Sequence, residues 1–476
     1  MPRKTKIVAT ISNLNCSPEF IDGLFHAGMN VVRLNTAHMT HDDALEVIVN
    51  TRSVSEKIGI LLDTKGPEIR TCDCDAPLIV HHGDTIRLKG APNEKSREDL
   101  ICVSYENFVK DVPVGSSILI DDGMIALAVM EKTETCLSCH VENDGVIEAR
   151  KSLNIPAVHV TLPALSEKDK GFIEFAAEQD LDFIAHSFVR NKDDVIAVQE
   201  ILDRKKSSIK IIAKIENNEG VKNLNEILDH CYGIMIARGD LAVEIPTEQI
   251  PLIQKQIIQT CIEKRRPVIV ATQMLHSMIE SPRPTRAEVS DVANACLDHA
   301  DALMLSGETA YGKYPEVSVR TMASIAQEVE DKKSSFMDVP YSIQNKVTAY
   351  LAKAAVKASL RLNTKAIIAD SLTGKSIRAL SAYRGDSPIY AQIYDRKVMR
   401  QLSLSFGVFA SFIPLGLSSS DPIQMAICRL IDENQFKPED LIIVLAGSFG
   451  PRHGASFIEI SNAEKFRQNC LIMERK

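Results

Sequence analysis

The chain has 476 residues, 45% of them hydrophobic and 25% charged, which is the composition of a globular protein with two or three domains and excludes extensive disorder. Its formal net charge of −8 disfavours a general nucleic-acid binder. The longest apolar runs, of about seven residues, are far shorter than the roughly 20 that cross a bilayer, and the first residues lack the apolar core of a signal peptide. We therefore expect a cytoplasmic protein that binds neither membrane nor nucleic acid.

The eleven cysteines show no disulfide framework. The only close pairs are Cys72 with Cys74 and Cys136 with Cys139, and a zinc site would need a second pair at suitable spacing. Reduced thiols, as in the cytosol, are the simpler interpretation.

Eight apolar runs of strand length recur with helical segments between them. Runs that are apolar throughout indicate parallel strands covered on both faces. Helix starts are readable too: Ser17-Pro18 gives an N-cap followed by proline, and Thr285 with Glu288 fits a capping box. Eight strand–helix units predict an α/β fold of the (β/α)8 TIM barrel type, whose active site lies at the carboxyl ends of the strands. The predicted strands are Lys6–Ile11, Val31–Leu34, Ile58–Asp63, Asp182–Ser187, Ile209–Ile215, Gly233–Ala237, Pro267–Thr272 and Ala302–Ser306.

The strand–helix pattern is interrupted between the third and fourth predicted strands. Residues 69–163 show short alternating strands with turns such as Asn143-Asp-Gly145, which predicts an inserted β-barrel or sandwich domain. An insertion above the active-site end could act as a lid that excludes water. The barrel domain is accordingly predicted to comprise residues 1–68 and 164–332.

Residues 333–476 are predicted to form a separate, C-terminal open α/β domain. Its predicted elements are a helix at Thr348–Leu360 and strands at Ala366–Ala369, Pro388–Ala391 and Leu441–Leu445.

Charged side chains follow two neighbouring apolar runs of the predicted barrel. Lys214 and Glu216 are two residues apart, so a strand points both to one face, and Asp240 follows a glycine after the next run. Two carboxylates beside a lysine form a hard oxygen site for a divalent cation with a mobile positive charge next to it. Such a set suits chemistry in which a phosphoryl group or an enolate gathers negative charge. For a lone lysine–glutamate pair an ordinary salt bridge would be the simpler interpretation, but polar and charged groups end most of the other strands as well.

Eight longer runs stand in a fixed order along the chain: Lys4–Val8, Gly28–Asn35, Leu62–Arg70, Lys214–Asn217, Ala237–Leu241, Ala271–Leu275, Pro282–Asn294 and Met304–Ala310. Together they resemble the pyruvate kinase family. The resemblance implies a barrel A domain, an inserted B domain that forms the lid, and a C-terminal regulatory domain. It also implies a homotetramer that transfers the phosphoryl group of phosphoenolpyruvate to ADP, giving pyruvate and ATP.

The resemblance implies roles for residues around the substrate. Glu216 and Asp240 would bind Mg2+ or Mn2+, and Lys214 would contact the transferring phosphoryl group and the enolate oxygen. The backbone N–H groups of Gly239 and Asp240, with Thr272, would hold the substrate carboxylate.

Further residues are implied for the phosphates, the nucleotide and the proton. Arg33 and Arg70 resemble arginines that contact phosphate, and Lys151 resembles a lysine that contacts the nucleotide. Asn35 and His38 would also face the nucleotide, and protonation of the enolate would run through water near Thr272 and Ser306. Taken singly, Thr272, Ser306 and His38 could instead be satisfied core groups.

The monovalent-cation site departs from the family pattern. Asn35, Asp63 and the Thr64 carbonyl would bind K+, but Ala37 stands where the family has a serine whose hydroxyl is a further ligand. Glu68 is kept where potassium-independent members tend to carry a lysine. We therefore expect a K+ requirement that is weakened rather than lost.

A second anion site is indicated in the C-terminal region. The run Ala369–Ser376 follows an apolar strand, opens the helical stretch Ile377–Tyr383 and matches a P-loop if alanine replaces its first glycine. A P-loop nucleotide hydrolase or switch would also need a second strand ending in aspartate, and Leu441–Gly447 ends without one. The alternatives are a capped helix start or a regulatory site for a phosphorylated activator. The residues of that effector site would be Ser371, Thr373, Gly374, Lys375 and Ser376.

Two other functional classes share part of this pattern. A metal-dependent aldolase acting on pyruvate enolate would need the same carboxylates, but it would not need Arg70, the lid or the C-terminal region. A barrel without activity, kept as an interaction protein, is opposed by the intact Lys214, Glu216 and Asp240.

Overall fold

The computed structural model describes residues 2–156, 158, 160–332, 336–340, 346–414, 422–447 and 454–466. Its β-strands fall into a closed barrel, two small antiparallel-rich sheets and an open sheet. In chain order the strands are β1 (Lys6–Thr10), β2 (Val31–Asn35), β3 (Gly59–Asp63), β4 (Leu78–Val80), β5 (Thr85–Gly90), β6 (Leu100–Val103), β7 (Ser117–Ile120), β8 (Ile125–Lys132), β9 (Leu137–Val141), β10 (Gly145–Ile147), β11 (Leu153–Asn154), β12 (Phe183–His186), β13 (Lys210–Ile215), β14 (Gly233–Ala237), β15 (Val268–Ala271), β16 (Ala302–Leu305), β17 (Ala366–Ser371), β18 (Ile389–Ile393), β19 (Val408–Phe412), β20 (Leu441–Ala446) and β21 (Phe457–Asn462).

The helices alternate with the barrel strands and with the strands of the C-terminal sheet. Two predicted helix starts are confirmed: Ser17 Oγ accepts the N–H of Phe20, and Thr285 forms a reciprocal capping box with Glu288. Each such cap contributes about 1 kcal/mol to helix stability. In chain order the helices are α1 (Pro18–Ala27), α2 (His41–Val54), α3 (Phe108–Asp111), α4 (Glu167–Glu178), α5 (Lys192–Arg204), α6 (Asn218–Lys222), α7 (Leu224–His230), α8 (Arg238–Glu244), α9 (Ile250–Glu263), α10 (Arg286–Leu297), α11 (Gly307–Ala310), α12 (Pro315–Lys332), α13 (Lys346–Leu362), α14 (Lys375–Ala382), α15 (Arg396–Gln401) and α16 (Pro422–Asp432).

The barrel is closed by eight parallel strands in the order β1-β16-β15-β14-β13-β12-β3-β2. Each predicted strand is present, with its ends shifted by no more than one residue at either end. Side chains such as Val8, Leu61, Ile212 and Met235 fill the interior, so the barrel has a packed core and its chemistry must lie at an end.

Between β3 and β12 the chain leaves the barrel. It forms a six-stranded sheet, in the order β11-β7-β8-β9-β5-β6, and a two-stranded sheet of β10 with β4. These strands enclose a core of their own, which includes Leu88, Phe108 and Leu127. The β-rich insertion predicted from the alternating pattern is therefore present.

The C-terminal sheet has the order β19-β18-β17-β20-β21, with β21 antiparallel at one edge. The three predicted strands correspond to β17, β18 and β20, whereas β19 and β21 were not predicted. Both lie at sheet edges and carry partly exposed side chains, so their apolar pattern is weaker.

Buried ion pairs join this sheet region to the amino-terminal end of the barrel. Arg400 Nε lies 2.6 Å from Asp182 Oδ1, and Arg384 donates to Asp301 at 2.6 Å. Asp182 also accepts from Arg52 and from the N–H of Ile60, so one carboxylate ties three elements together.

Cysteine and membrane expectations can be compared with the described residues. The ten cysteines they include are free thiols, and Cys470 lies outside the described residues. None of the helices in the described ranges is long and apolar enough to cross a membrane.

Candidate active site

A buried cluster of charged side chains occupies the carboxyl ends of neighbouring barrel strands. Asp63, at the end of β3, accepts from Arg33 Nε at 2.7 Å and lies 3.1 Å from Lys214 Nζ. Lys214 also lies 3.0 Å from Glu216 Oε1 and donates to Ser187 Oγ at 2.8 Å. The prediction that Lys214 and Glu216 point to the same face is therefore confirmed.

The charges in this cluster stabilise one another. Burial alone would raise the pKa of Asp63, but Lys214 and Arg33 outweigh it and the pKa is lowered. Burial alone would lower the pKa of Lys214, but Asp63 and Glu216 raise it. Lys214 is therefore protonated at neutral pH, and the neighbouring carboxylates rather than water stabilise its positive charge.

Glu216 and Asp240 form the carboxylate pair of the site. Burial raises the pKa of Glu216, and Asp240 adds to this effect against the attraction of Lys214. Burial also raises the pKa of Asp240. Glu216 is buried and Asp240 is half-buried, and two carboxylates that repel each other provide oxygen ligands for a hard cation, which would relieve the repulsion.

These two carboxylates do not form a complete metal cage. Within the described part of the chain, no group of three or more His, Cys, Asp or Glu side chains could hold a metal ion by itself. The pair fits a magnesium ion that keeps most of its ligands from water and substrate, as such ions do at phosphate sites. The N–H of Phe188 donates to Glu216 Oε2 at 2.6 Å and leaves Oε1 toward Lys214.

Thr272 and Gly239 meet where β14 and β15 end. Thr272 Oγ1 accepts the N–H of Gly239 at 2.9 Å and donates to the carbonyl of Ala271 at 2.6 Å. A Cβ on residue 239 would meet Thr272 Oγ1 at 3.6 Å, an ordinary contact, so protein packing does not require glycine there. Glycine at this position would also let a ligand approach the backbone closely. Thr272 is half-buried at this surface and is not a core hydroxyl.

Glu308 is a buried residue at a strand end for which no specific role was predicted. Its two carboxylate oxygens accept the N–H of Leu275 at 3.1 Å and the N–H of Ser306 at 2.8 Å. It therefore holds the loops after β15 and β16, which carry Thr272 and Ser306, against each other. The available signal was an acidic residue three positions after the last residue of β16.

Ser187 is another residue without a predicted role. Its hydroxyl accepts from Lys214 and donates to the carbonyl of Thr64 at 2.6 Å. It thereby fixes Lys214 next to β3, and a lone serine at a strand end gives no warning of this in the sequence.

The predicted K+ ligands lie side by side. Asn35 and Asp63 are paired across β2 and β3, and Thr64 follows directly. Asn35 Oδ1 accepts the N–H of Ala37 at 3.3 Å. Position 37, where a serine would supply a hydroxyl ligand, therefore lies next to Asn35. All three donors are oxygens, which suits an alkali cation, although Asp63 is already the counterion of Arg33 and Lys214.

The predicted nucleotide residues lie near the base of the inserted sheets. Arg70 forms an ion pair with Glu68 at 2.8 Å, and Lys151 lies 3.1 Å from Asp121. His38 is exposed, so the alternative that it is a core imidazole is wrong. Arg70 and Lys151 are half-buried, so both keep part of their side chains accessible to a ligand.

A cavity of about 280 Å3 opens between the inserted sheets and the barrel. Its lining includes Asp122 from the insertion, Glu68 directly before the insertion, and Phe188 and Asp240 from the barrel. Asp122 and Glu68 help to raise the pKa of Asp240, after burial itself, so the insertion reaches the carboxylate pair.

The predicted effector residues lie in the turn between β17 and α14, away from the cluster. Ser371 Oγ accepts the N–H of Gly374 at 3.0 Å, and Ser376 Oγ donates to the carbonyl of Asp370 at 3.3 Å. Gly374 has φ +72°, which favours glycine. Thr373 and Lys375 are exposed, so they are the side chains of this turn that a ligand could reach.

Comparisons with known proteins agree over nearly the whole chain. The pyruvate kinase barrel domain matches residues 2–319, and the pyruvate kinase alpha/beta domain matches residues 350–461. The pyruvate kinase of Borreliella burgdorferi is 46% identical over 467 residues, covering 97% of both chains. That of Staphylococcus aureus is 41% identical over 461 residues, covering 94% of this chain and 78% of the relative.

A solved structure shows the same arrangement. The crystal structure of a pyruvate kinase from Cryptosporidium parvum superimposes with a TM-score of 0.91 at 36% identity, covering 97% of this chain and 96% of that one. Fold, strand-end chemistry and sequence identity thus point the same way. The chain belongs to the pyruvate kinase family.

Proposed function

We propose that the chain transfers the phosphoryl group of phosphoenolpyruvate to ADP, giving pyruvate and ATP. The observation that carries this proposal is the buried Lys214 ammonium held 3.0 Å from Glu216, with Asp240 beside them. This is a preorganised positive charge next to a cation site. It suits a reaction in which a phosphoryl group is transferred and an enolate forms.

Lys214 and Arg33 would stabilise the charge that develops during transfer. The Lys214 ammonium would face the transferring phosphoryl group and the enolate oxygen, and the planar Arg33 guanidinium would contact phosphate oxygens. Asp63 forms ion pairs with both Arg33 and Lys214, so neither side chain would have to reorganise when the substrate binds. Catalysis by positioning is what phosphoryl transfer needs most.

Glu216 and Asp240 would hold Mg2+ or Mn2+. Such an ion would supply positive charge that neutralises the substrate's negative charge. The fit rests on the mutually repelling carboxylates of buried Glu216 and half-buried Asp240, and on the room they leave for water and substrate.

The start of α8 would receive the substrate carboxylate. The N–H groups of Gly239 and Asp240 lie in its first turn, where backbone donors favour an anion. Thr272 Oγ1 now accepts the N–H of Gly239, so a bound carboxylate would take over that bond while the threonine hydroxyl turns to donate. Thr272 and Ser306 would order the water that protonates the enolate.

We propose K+ as the monovalent cation, held by Asn35, Asp63 and the Thr64 carbonyl. Ala37 offers no oxygen from its side chain, so binding would be weaker than with a serine there.

The inserted sheets would form the lid over the nucleotide. Arg70 and Lys151, with Asn35 and His38, would contact ADP, and the acidic partners of Arg70 and Lys151 would exchange for phosphate oxygens. This extends to the domain plan: residues 1–68 with 164–332 as the catalytic domain, 69–163 as the lid and 333–476 as the regulatory domain. The limits 1, 333 and 476 lie outside the described residues.

The turn between β17 and α14 would bind a phosphorylated activator in a homotetramer. Exposed Thr373 and Lys375 at the start of α14 support an anion there, whereas the buried N–H of Gly374 is already bonded to Ser371 Oγ. Ser371 and Ser376 already bond to the backbone and would shape the turn rather than reach the ligand.

A coupled assay tests the reaction. Pyruvate should appear from phosphoenolpyruvate only when ADP and Mg2+ are both present. Pyruvate formation without ADP would indicate a phosphatase, and ADP-independent aldol cleavage to pyruvate would indicate the aldolase alternative.

A further inference from the structure

The backbone at the end of β15 is held in an unfavourable conformation. Thr272 has φ +68° and Gln273 has φ +54°, two consecutive residues with side chains in the left-handed region. For a β-branched threonine this conformation is a genuine outlier, and it persists only where the surroundings impose it. The strained residue is the one whose hydroxyl meets Gly239 at the substrate end of the barrel.

The guanidinium of Arg238 is hydrogen-bonded to the backbone of this turn. Arg238 Nη2 donates to the carbonyl of Thr272 at 2.8 Å and lies 2.9 Å from the sulfur of Met274. Its other terminal nitrogen, Nη1, lies 2.7 Å from Asp291 Oδ1 on α10. The guanidinium of Arg238 therefore links the turn to α10, one of the helices that alternate with the barrel strands.

We call the contacts of Arg238 with Thr272 and Asp291 the clamp. Two features suit Arg238 to hold the turn in place. Arg238 is mostly buried, with 11% of its side chain exposed, so its charge is only weakly screened and the hydrogen bond to Thr272 is strong. Arg238 is also the first residue of α8, directly before Gly239 and Asp240. It therefore connects the strained Thr272 with the helix that carries Asp240.

We propose that Arg238, oriented by Asp291, is a positioning residue that holds Thr272 in its strained conformation and so aims the threonine hydroxyl at the substrate. This inference rests on the proposed function, because it assigns Thr272 to the reacting end of the substrate. Arg238 is assigned a positioning role because its two terminal nitrogens are already engaged, one by the carbonyl of Thr272 and the other by Asp291.

A double-mutant cycle tests whether Arg238 acts through Thr272. Arg238→Ala alone should lower kcat by about 10- to 100-fold, the size of effect expected from a small misplacement of a reacting group, with little change in the KM for ADP. In a Thr272→Ala background the same substitution should change kcat by less than about threefold, because the hydroxyl it positions is already gone. Arg238→Lys, which keeps one donor, should recover part of the loss.

Arg400→Ala is the matched control. Arg400 is buried to the same degree and pairs with Asp182 at 2.6 Å, but at the opposite end of the barrel. It should lower the unfolding temperature and leave kcat near wild type. If Arg238→Ala fails to fold, Asp291→Asn should give a smaller loss of kcat with the same dependence on Thr272.

The outcomes separate the two claims. If wild type turns over phosphoenolpyruvate and ADP, and Thr272→Ala is impaired, the proposed function stands. If in that case Arg238→Ala reduces kcat equally with and without Thr272, or not at all, the clamp is wrong. An inactive wild type, or an unimpaired Thr272→Ala, would instead contradict the assignment on which the clamp depends.

Discussion

The ammonium of Lys214 lies 3.1 Å from Oδ1 of Asp63, a carboxylate whose side chain is only 1% exposed. The same carboxylate accepts from Arg33 Nε at 2.7 Å. One buried negative charge therefore holds the two cations that would face the substrate phosphate. Asp63 was expected to be a K+ ligand, and its contacts give it a second task that applies whether or not a monovalent ion is bound.

Lys214→Met should lower kcat by roughly 10²–10³-fold, because it removes a charge aimed at the developing negative charge. The fold should survive, since the lysine stands at a strand end. Steady-state kinetics beside Lys210→Met, a lysine at the other end of the same strand, would measure the difference. A Lys214→Met enzyme within threefold of wild type would remove Lys214 from the mechanism.

Glu216→Gln should shift the Mg2+ activation curve to much higher concentrations, because a neutral amide oxygen is a poorer ligand for a hard cation. Binding of ADP in the absence of metal should change little. Titration of Mg2+ against activity, together with calorimetry of metal-free ADP binding, checks both statements. An unshifted metal curve would show that Glu216 is not a ligand.

Ala37→Ser should tighten the apparent affinity for K+ by adding a hydroxyl near Asn35. Ala37→Cys, of nearly the same size but without an oxygen, is the control and should not. In wild type, replacing K+ by a bulky organic cation should lower the rate. Full activity in the organic cation would mean that Asn35 and Asp63 serve the structure alone.

The sequence predicted the barrel strands well because parallel strands covered on both faces are apolar throughout. It also predicted Lys214, Glu216 and Asp240 as neighbours, since strand ends of a barrel converge. It identified Arg238, Ser187 and Glu308 as polar or charged residues at strand ends but could not predict their roles, which arise from contacts with segments distant in sequence. The edge strands β19 and β21 were missed because their exposed faces dilute the apolar pattern.

Thr373→Ala and Lys375→Ala should each weaken activation by a phosphorylated metabolite without altering the unactivated rate. The turn lies in the C-terminal sheet region, so its effect must be a coupling between two sites, typically 1–3 kcal/mol. Sugar phosphates and nucleoside monophosphates should be screened against substrate saturation. An activator that works equally on both variants must bind elsewhere, and failure of every compound on wild type would leave the turn as a capped helix start.

The most direct measurement follows the phosphorus atom itself. Phosphoenolpyruvate carrying labelled phosphorus should be mixed with ADP, Mg2+ and K+ in a single turnover, and the products separated. We predict that the label appears as the γ-phosphate of ATP in a one-to-one ratio with pyruvate, and that Lys214→Met slows both together. Label found as inorganic phosphate, or pyruvate formed without ATP, would contradict phosphoryl transfer at this site.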